Sequence, residues 1–110
     1  MALKHAQPGT IIDVQPLGAT LRDQKTQTLA KTDETEIIRL VLPAGREIAT
    51  HTAPGPITIH CIERQIAFST MGNELEMHPG QLLYLNANEP HSVRAVEDSS
   101  LLLTILLSQK

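Results

Sequence analysis

The sequence predicts an all-β fold, a single small barrel or sandwich of jelly-roll type. Short β-branched and aliphatic runs recur at intervals of about 8 to 12 residues, and clusters of Gly, Pro and Asn separate them. No segment carries three turns of amphipathic helical periodicity, and no internal repeat is visible. A chain of 110 residues amounts to one domain. Within it, residues 1–34 read as a lead with edge strands and residues 35–110 as the barrel itself.

In order along the chain, residues 1–9 are a loose lead that ends at Pro8-Gly9. Thr10 to Val14 is β-branched and short, an edge strand or one exchanged with a second copy. Residues 15–34 are polar, with a weak strand over Thr26 to Thr32. Thr35 to Leu42 alternates, with Ile38, Leu40 and Leu42 on one face, and stops at the turn Pro43-Ala44-Gly45. Arg46 to His51 continues extended, and Pro56 to Glu63 and Gln65 to Thr70 follow as strands. Met71-Gly72-Asn73 is a hairpin turn in which Gly72 or Asn73 takes positive φ, and Glu74 to His78 is the returning strand. Pro79-Gly80 suits a type II turn, because proline presets φ at its second position and glycine accepts positive φ at its third. Gln81 to Leu85 and His91 to Val96 are strands either side of a loop, and Glu97-Asp98-Ser99 is a turn. Leu101 to Leu107 is apolar on both faces, as a strand covered on both sides would be.

Composition removes several classes of function. Net charge is −3, from 9 basic and 12 acidic side chains with no basic cluster, so a nucleic-acid footprint is missing. Phe68 and Tyr84 are the only aromatic residues, too few for a base-stacking platform. No apolar run approaches the ~18 residues of a membrane span, and the amino-terminal residues lack a signal-peptide core, so a soluble cytoplasmic protein is expected. A single cysteine allows no internal disulfide, which suits a reducing compartment.

Chemistry concentrates in His51 to Ile62, HTAPGPITIHCI, and in the later His91. Gly45 followed by His51, and Gly80 followed by His91, resemble the two signature motifs of the cupin superfamily, and HTAPGPITI and GQLLYLNANEPHSV resemble its small single-domain bacterial members. The resemblance spans about residues 35 to 107 and implies a double-stranded β-helix, the jelly-roll barrel of cupins. It also implies a site built from three histidines and a glutamate around Fe, Mn, Ni or Zn. Here Ala53 stands for the second histidine, Ile57 or Thr58 for the glutamate, and Arg64 for the closing glycine. In the second motif Asn86 replaces proline, Asn88 glycine and Ala95 asparagine.

His51 and His91 are therefore the candidate ligand-binding pair, and the possible metal ligands, in one cavity. If Ile57 faces inward, strand alternation turns Ile59 and Cys61 inward with it and sends Thr58, His60 and Ile62 outward. A one-residue register change at Pro54-Gly55-Pro56 would instead make His60 a third ligand. Cys61 reads as a small buried hydrophobe lining the cavity, while His5 and His78 read as solvated. Metal-free acid–base chemistry would call on His51 or His91 with Tyr84 or Glu63. Three functions follow: a cupin that binds a small organic molecule, with or without a divalent metal; a metal-dependent oxygenase or isomerase, or a metal-free epimerase-like enzyme; and an inactive scaffold. All three are expected to act as homodimers, with Thr10 to Val14 or residues 101–107 completing a sheet across chains.

Overall fold

The computed structural model describes residues 5–107; the outermost parts of the expected lead and barrel, residues 1–4 and 108–110, lie outside the described residues. Among the described residues nine strands form in chain order: β1 Gln27–Lys31, β2 Thr35–Leu42, β3 Glu47–His51, β4 Ile57–Glu63, β5 Ile66–Thr70, β6 Asn73–Met77, β7 Leu82–Leu85, β8 His91–Ala95 and β9 Ser99–Leu106. They make two antiparallel sheets, ordered β1-β2-β9-β4-β7 and β3-β8-β5-β6. Setting β1 aside, successive strands are distributed over two four-stranded sheets in the order of a jelly roll.

The two sheets share one core. Ile57, Ile59, Cys61, Leu85 and Leu101 from the first pack against Ile66, Phe68, Met77, Val93 and Ala95 from the second. Alternation dictates this: along β4 every second residue, Ile57, Ile59 and Cys61, is buried in that core. Leu, Ile and Val dominate this core, with Phe68 as its one aromatic hydrocarbon side chain beside Cys61, Met77 and Ala95.

The turns form for the reasons the residues suggest. Gly80 has φ 88° and the Gln81 amide donates to the His78 carbonyl at 3.0 Å, a type II geometry over His78 to Gln81. Gly45, at φ 83°, holds the same position in a turn closed by the Arg46 amide on the Pro43 carbonyl. The β5–β6 hairpin departs from expectation. Thr70 pairs with Asn73, so the loop is the two residues Met71 and Gly72, at φ 52° and 81°, while Asn73 already belongs to β6. Two successive positive φ values are what the right-handed twist of a tight hairpin demands, and here Met71 accepts one of them.

Three further departures concern the chain's ends. Thr10 to Val14 is not a strand: β1 occupies the sheet edge beside β2, and Ile11 is 95% exposed. Gly18–Asp23 is a short 3₁₀ helix, pinned by buried Leu21. β9 begins at Ser99, which lies in the strand rather than in a turn, and takes in Ser100, because their hydroxyls find partners; Ser99 donates to the Gln65 and Glu97 carbonyls and Ser100 to Glu63. Among the described residues no helix is long and apolar enough to cross a membrane.

Candidate functional site

The site begins with an irregularity in β3. Glu47 pairs with Arg94 and Ile48 with Val93, but the next pair is His51 with His91, so β3 advances three residues while β8 advances two. The inserted residue is a β-bulge at Ala49-Thr50. Ile48 faces inward opposite buried Val93, and regular alternation would turn His51 outward. The bulge restores the inward face at His51 and sets it directly against buried His91.

The two rings lie 4.4 Å apart between centroids, at 58° to each other. His91 also stacks on Phe68, nearly parallel at 11° and 5.6 Å. Each ring is tied to the carbonyl two residues before it: His51 Nδ1 lies 2.9 Å from the Ala49 oxygen, within the bulge, and His91 Nδ1 lies 2.9 Å from the Glu89 oxygen. A carbonyl can only accept, so Nδ1 carries a proton in both rings, and in the neutral form of each ring the lone pair is on Nε2. His91 is 5% exposed and borders the adjoining cavity, and among the described residues no buried side-chain nitrogen lacks a hydrogen-bond partner, so its Nε2 is not sealed in the core.

That cavity has two lobes, both bordered by His51, His91 and Leu103. The outer one, about 200 Å³, adds Glu36, Ala53, Ile57 and Ile105. The inner one, about 80 Å³, adds Leu40, Ile48, Ile59 and Val93. Ala53 is held there by its carbonyl, which accepts the Asn88 amide at 2.8 Å and joins the two loops at the mouth. A wider depression of about 430 Å³ lies beside the β5–β6 turn and is also bordered by His91, but it is shallow and open to solvent.

Sequence reasoning placed Ile57 and Ile59 with the histidine pair, and both border the cavity. Cys61 does not. It points inward but lies deeper, 0% exposed in the closed core, with Sγ 3.8 Å from the carbonyls of Glu63, Arg64 and Met77. Burial pushes its thiol pKa up, so it is neither a ligand contact nor a nucleophile. His60 faces outward, paired with Leu82 and Leu102, and takes no part in the site. Tyr84 is on that same outer face with its hydroxyl on Asn86. Glu63 binds the Leu17 and Gly18 amides beneath the amino-terminal segment. Neither is available to the histidines as an acid–base partner.

One lining residue went unnoticed in the sequence. Glu36 stands on the cavity face of β2, where it accepts a long hydrogen bond of 3.4 Å from the Thr28 hydroxyl. It precedes Ile38, Leu40 and Leu42 in the same alternation, so strand parity alone would have found it.

A resident metal does not fit these donors. Ala53 and Ile57 border the cavity where a histidine and a glutamate would be needed, and among the described residues no three His, Cys, Asp or Glu side chains come together closely enough to hold an ion. Two imidazoles fall short of the three or more protein ligands of a tight transition-metal site.

In sequence, the chain matches the cupin domain family over residues 38–107. No curated protein matches it. Similar solved structures include a cupin superfamily protein from Desulfitobacterium hafniense, with TM-score 0.77 and 14% identity over 94% of this chain and 100% of that one. A conserved protein of unknown function from Streptococcus pyogenes has TM-score 0.78 and 21% identity, over 100% and 97%. An RmlC-like cupin from Desulfovibrio desulfuricans has TM-score 0.73 and 25% identity, over 88% and 97%. These likenesses show a shared fold.

Proposed function

The chain belongs to the cupin family, and from that premise we propose that it binds a small organic molecule in the cavity beside His51 and His91. The observation that carries this is the paired imidazoles, each with Nδ1 committed to a backbone carbonyl and Nε2 left for a ligand, at the edge of an otherwise aliphatic space. Most ligand sites have this composition, a largely apolar wall with a few convergent polar groups. The lobes are smaller than the ~300–1,000 Å³ of sites for drug-sized compounds, so the ligand is of fragment size.

A metal-dependent oxygenase or isomerase is the alternative for this fold, and the donor set speaks against it. Ala53 and Ile57 supply no electrons to an ion, and Glu36 does not join the histidines in a ligating group. Among the described residues, metal-free acid–base catalysis would have the two imidazoles and Glu36 to work with.

Titration with a fragment library, followed by NMR of the histidine ring and isoleucine methyl signals, tests the proposal. The expected result is that hits shift His51, His91, Ile57 and Ile59 together and that His91→Ala abolishes those shifts. A library with no such hits, or shifts that persist in His91→Ala, would leave the chain without a ligand site here.

A further inference from the structure

Resting on the ligand-binding function above, we propose that the ligand is a small primary amine, bound as its ammonium ion with a short apolar body. Among the described residues, every titratable group on the cavity is a hydrogen-bond acceptor when the imidazoles are neutral: His51 Nε2, His91 Nε2 and the Glu36 carboxylate. Among the described residues no lysine or arginine borders either lobe. A carboxylate head would therefore set its lone pairs against two others and a like charge. A hydroxyl could satisfy one imidazole and would turn its own lone pairs on the second.

An ammonium group has three donors and no acceptor, and so matches two neighbouring lone pairs without conflict. Hydrogen bonds from a charged donor are also the stronger kind. Glu36 borders the same lobe as the imidazoles, and its negative charge there favours a cation. Thr28, which donates to Glu36 Oε2, helps hold that carboxylate in place. The aliphatic residues Ile57, Leu103 and Ile105 then receive the body, and the lobe volumes of about 200 and 80 Å³ confine it to a single ring or a short chain.

Benzylamine, benzyl alcohol and benzoate carry three head groups on the same ring and test this by calorimetry and histidine-ring NMR at about pH 8, where ordinary imidazoles are neutral. Benzylamine should bind at least about tenfold more tightly than either of the others. Glu36→Gln should weaken benzylamine by about threefold or more and leave benzyl alcohol unchanged, the alcohol serving as the check that the variant folds and keeps its cavity. Benzoate or benzyl alcohol binding as tightly as benzylamine would overturn the amine assignment and leave the ligand site standing. So would other library fragments shifting His51 and His91 while benzylamine does not. Benzylamine affinity unchanged in Glu36→Gln would remove Glu36 from the recognition and with it the argument for a cation. If no fragment of any kind shifts the pair, the ligand-binding function itself fails.

Discussion

His51 and His91 are cross-strand partners only because β3 carries one more residue than β8 between the Ile48–Val93 pair and their own. Their rings lie 4.4 Å apart, and Ala53 and Ile57 border the same outer lobe. The two positions that lack the family's ligands thus still face the pair. Restoring them should restore metal binding: the Ala53→His, Ile57→Glu variant is expected to take up about one Ni²⁺ or Zn²⁺ per chain. Saturating metal at a hundredfold over Kd should then stabilise it by about 2.7 kcal/mol. Without metal the same variant should be less stable than the parent, because Ile57→Glu puts an unpaired carboxylate in an apolar wall. The parent chain should show no change in Tm on treatment with chelator. Elemental analysis and thermal melts decide it; a parent that loses stability with chelator would contradict the two-donor site.

Glu63 owes its place to a second bulge, between the Cys61–Leu101 and Glu63–Ser100 pairs, that directs it to the outer side of the sheet. There it is 7% exposed and accepts from the Leu17 amide at 2.8 Å, the Gly18 amide at 3.0 Å and the Ser100 hydroxyl. Burial alone would raise its pKa, but these hydrogen bonds, with Arg39 nearby, outweigh burial and hold it below the ordinary 4.5. A folded pKa below the unfolded one makes the carboxylate stabilising above the unfolded value, and that stability is lost as pH falls through the folded value. Glu63→Gln should therefore cost about 1–3 kcal/mol at neutral pH and flatten the acid limb of the Tm–pH profile. Parallel profiles for parent and variant would show that Glu63 is not responsible for that limb.

Much of the fold was legible because strand parity is a local property. β2 falls on Thr35–Leu42 as its alternation and the following turn require, and β4 buries Ile57, Ile59 and Cys61 while turning His60 out. The two bulges were not legible. A bulge is defined by two strands distant in sequence, and nothing in Glu47–His51 alone announces that His51 will face the same way as Ile48. Ser99 reads as a turn residue, and Ser100 falls outside the expected strand, for a related reason: their place in β9 depends on Gln65 and Glu63, more than thirty residues away in sequence. Glu36 was legible by parity and hidden by its polarity, since a charged residue on a strand is ordinarily assigned to solvent.

The degenerate family motifs keep their backbone after losing their residues. Arg64 and Asn88 stand where glycines are expected and retain positive φ, 67° and 65°. A left-handed backbone costs a residue with a β-carbon about 1–2 kcal/mol, and asparagine bears it better than arginine. Arg64→Gly should thus stabilise the protein by about 0.5–1 kcal/mol, the relief of strain being offset in part by the greater freedom of glycine in the unfolded chain. Asn88→Gly should be close to neutral. Loss of the Arg64–Glu97 contact, 3.2 Å between well-exposed groups, subtracts little. Urea midpoints at constant m-value measure both; an Arg64→Gly variant less stable than Asn88→Gly would refute the ordering.

The outer face of the first sheet leads to the last expectation, that two copies associate. Thr58, His60, Leu82, Tyr84, Leu102, Thr104 and Leu106 share that face across β4, β7 and β9. None is a carboxylate, lysine or arginine, so a second copy can meet it without like-charge repulsion. The amino-terminal segment covers the same sheet on the β1–β2 side, over Leu29, Arg39 and Val41, and leaves the β7 side open, where Leu82 and Tyr84 are each 64% exposed. β7 is also an edge strand of the sheet, which association would cover. Sedimentation equilibrium should give a dimer for the parent and a monomer for Leu82→Glu or Tyr84→Glu. Because these side chains are exposed, either variant should keep the parent's circular dichroism and its histidine-ring contacts. A parent that sediments as a monomer at the concentrations used for NMR would rule out pairing through this face.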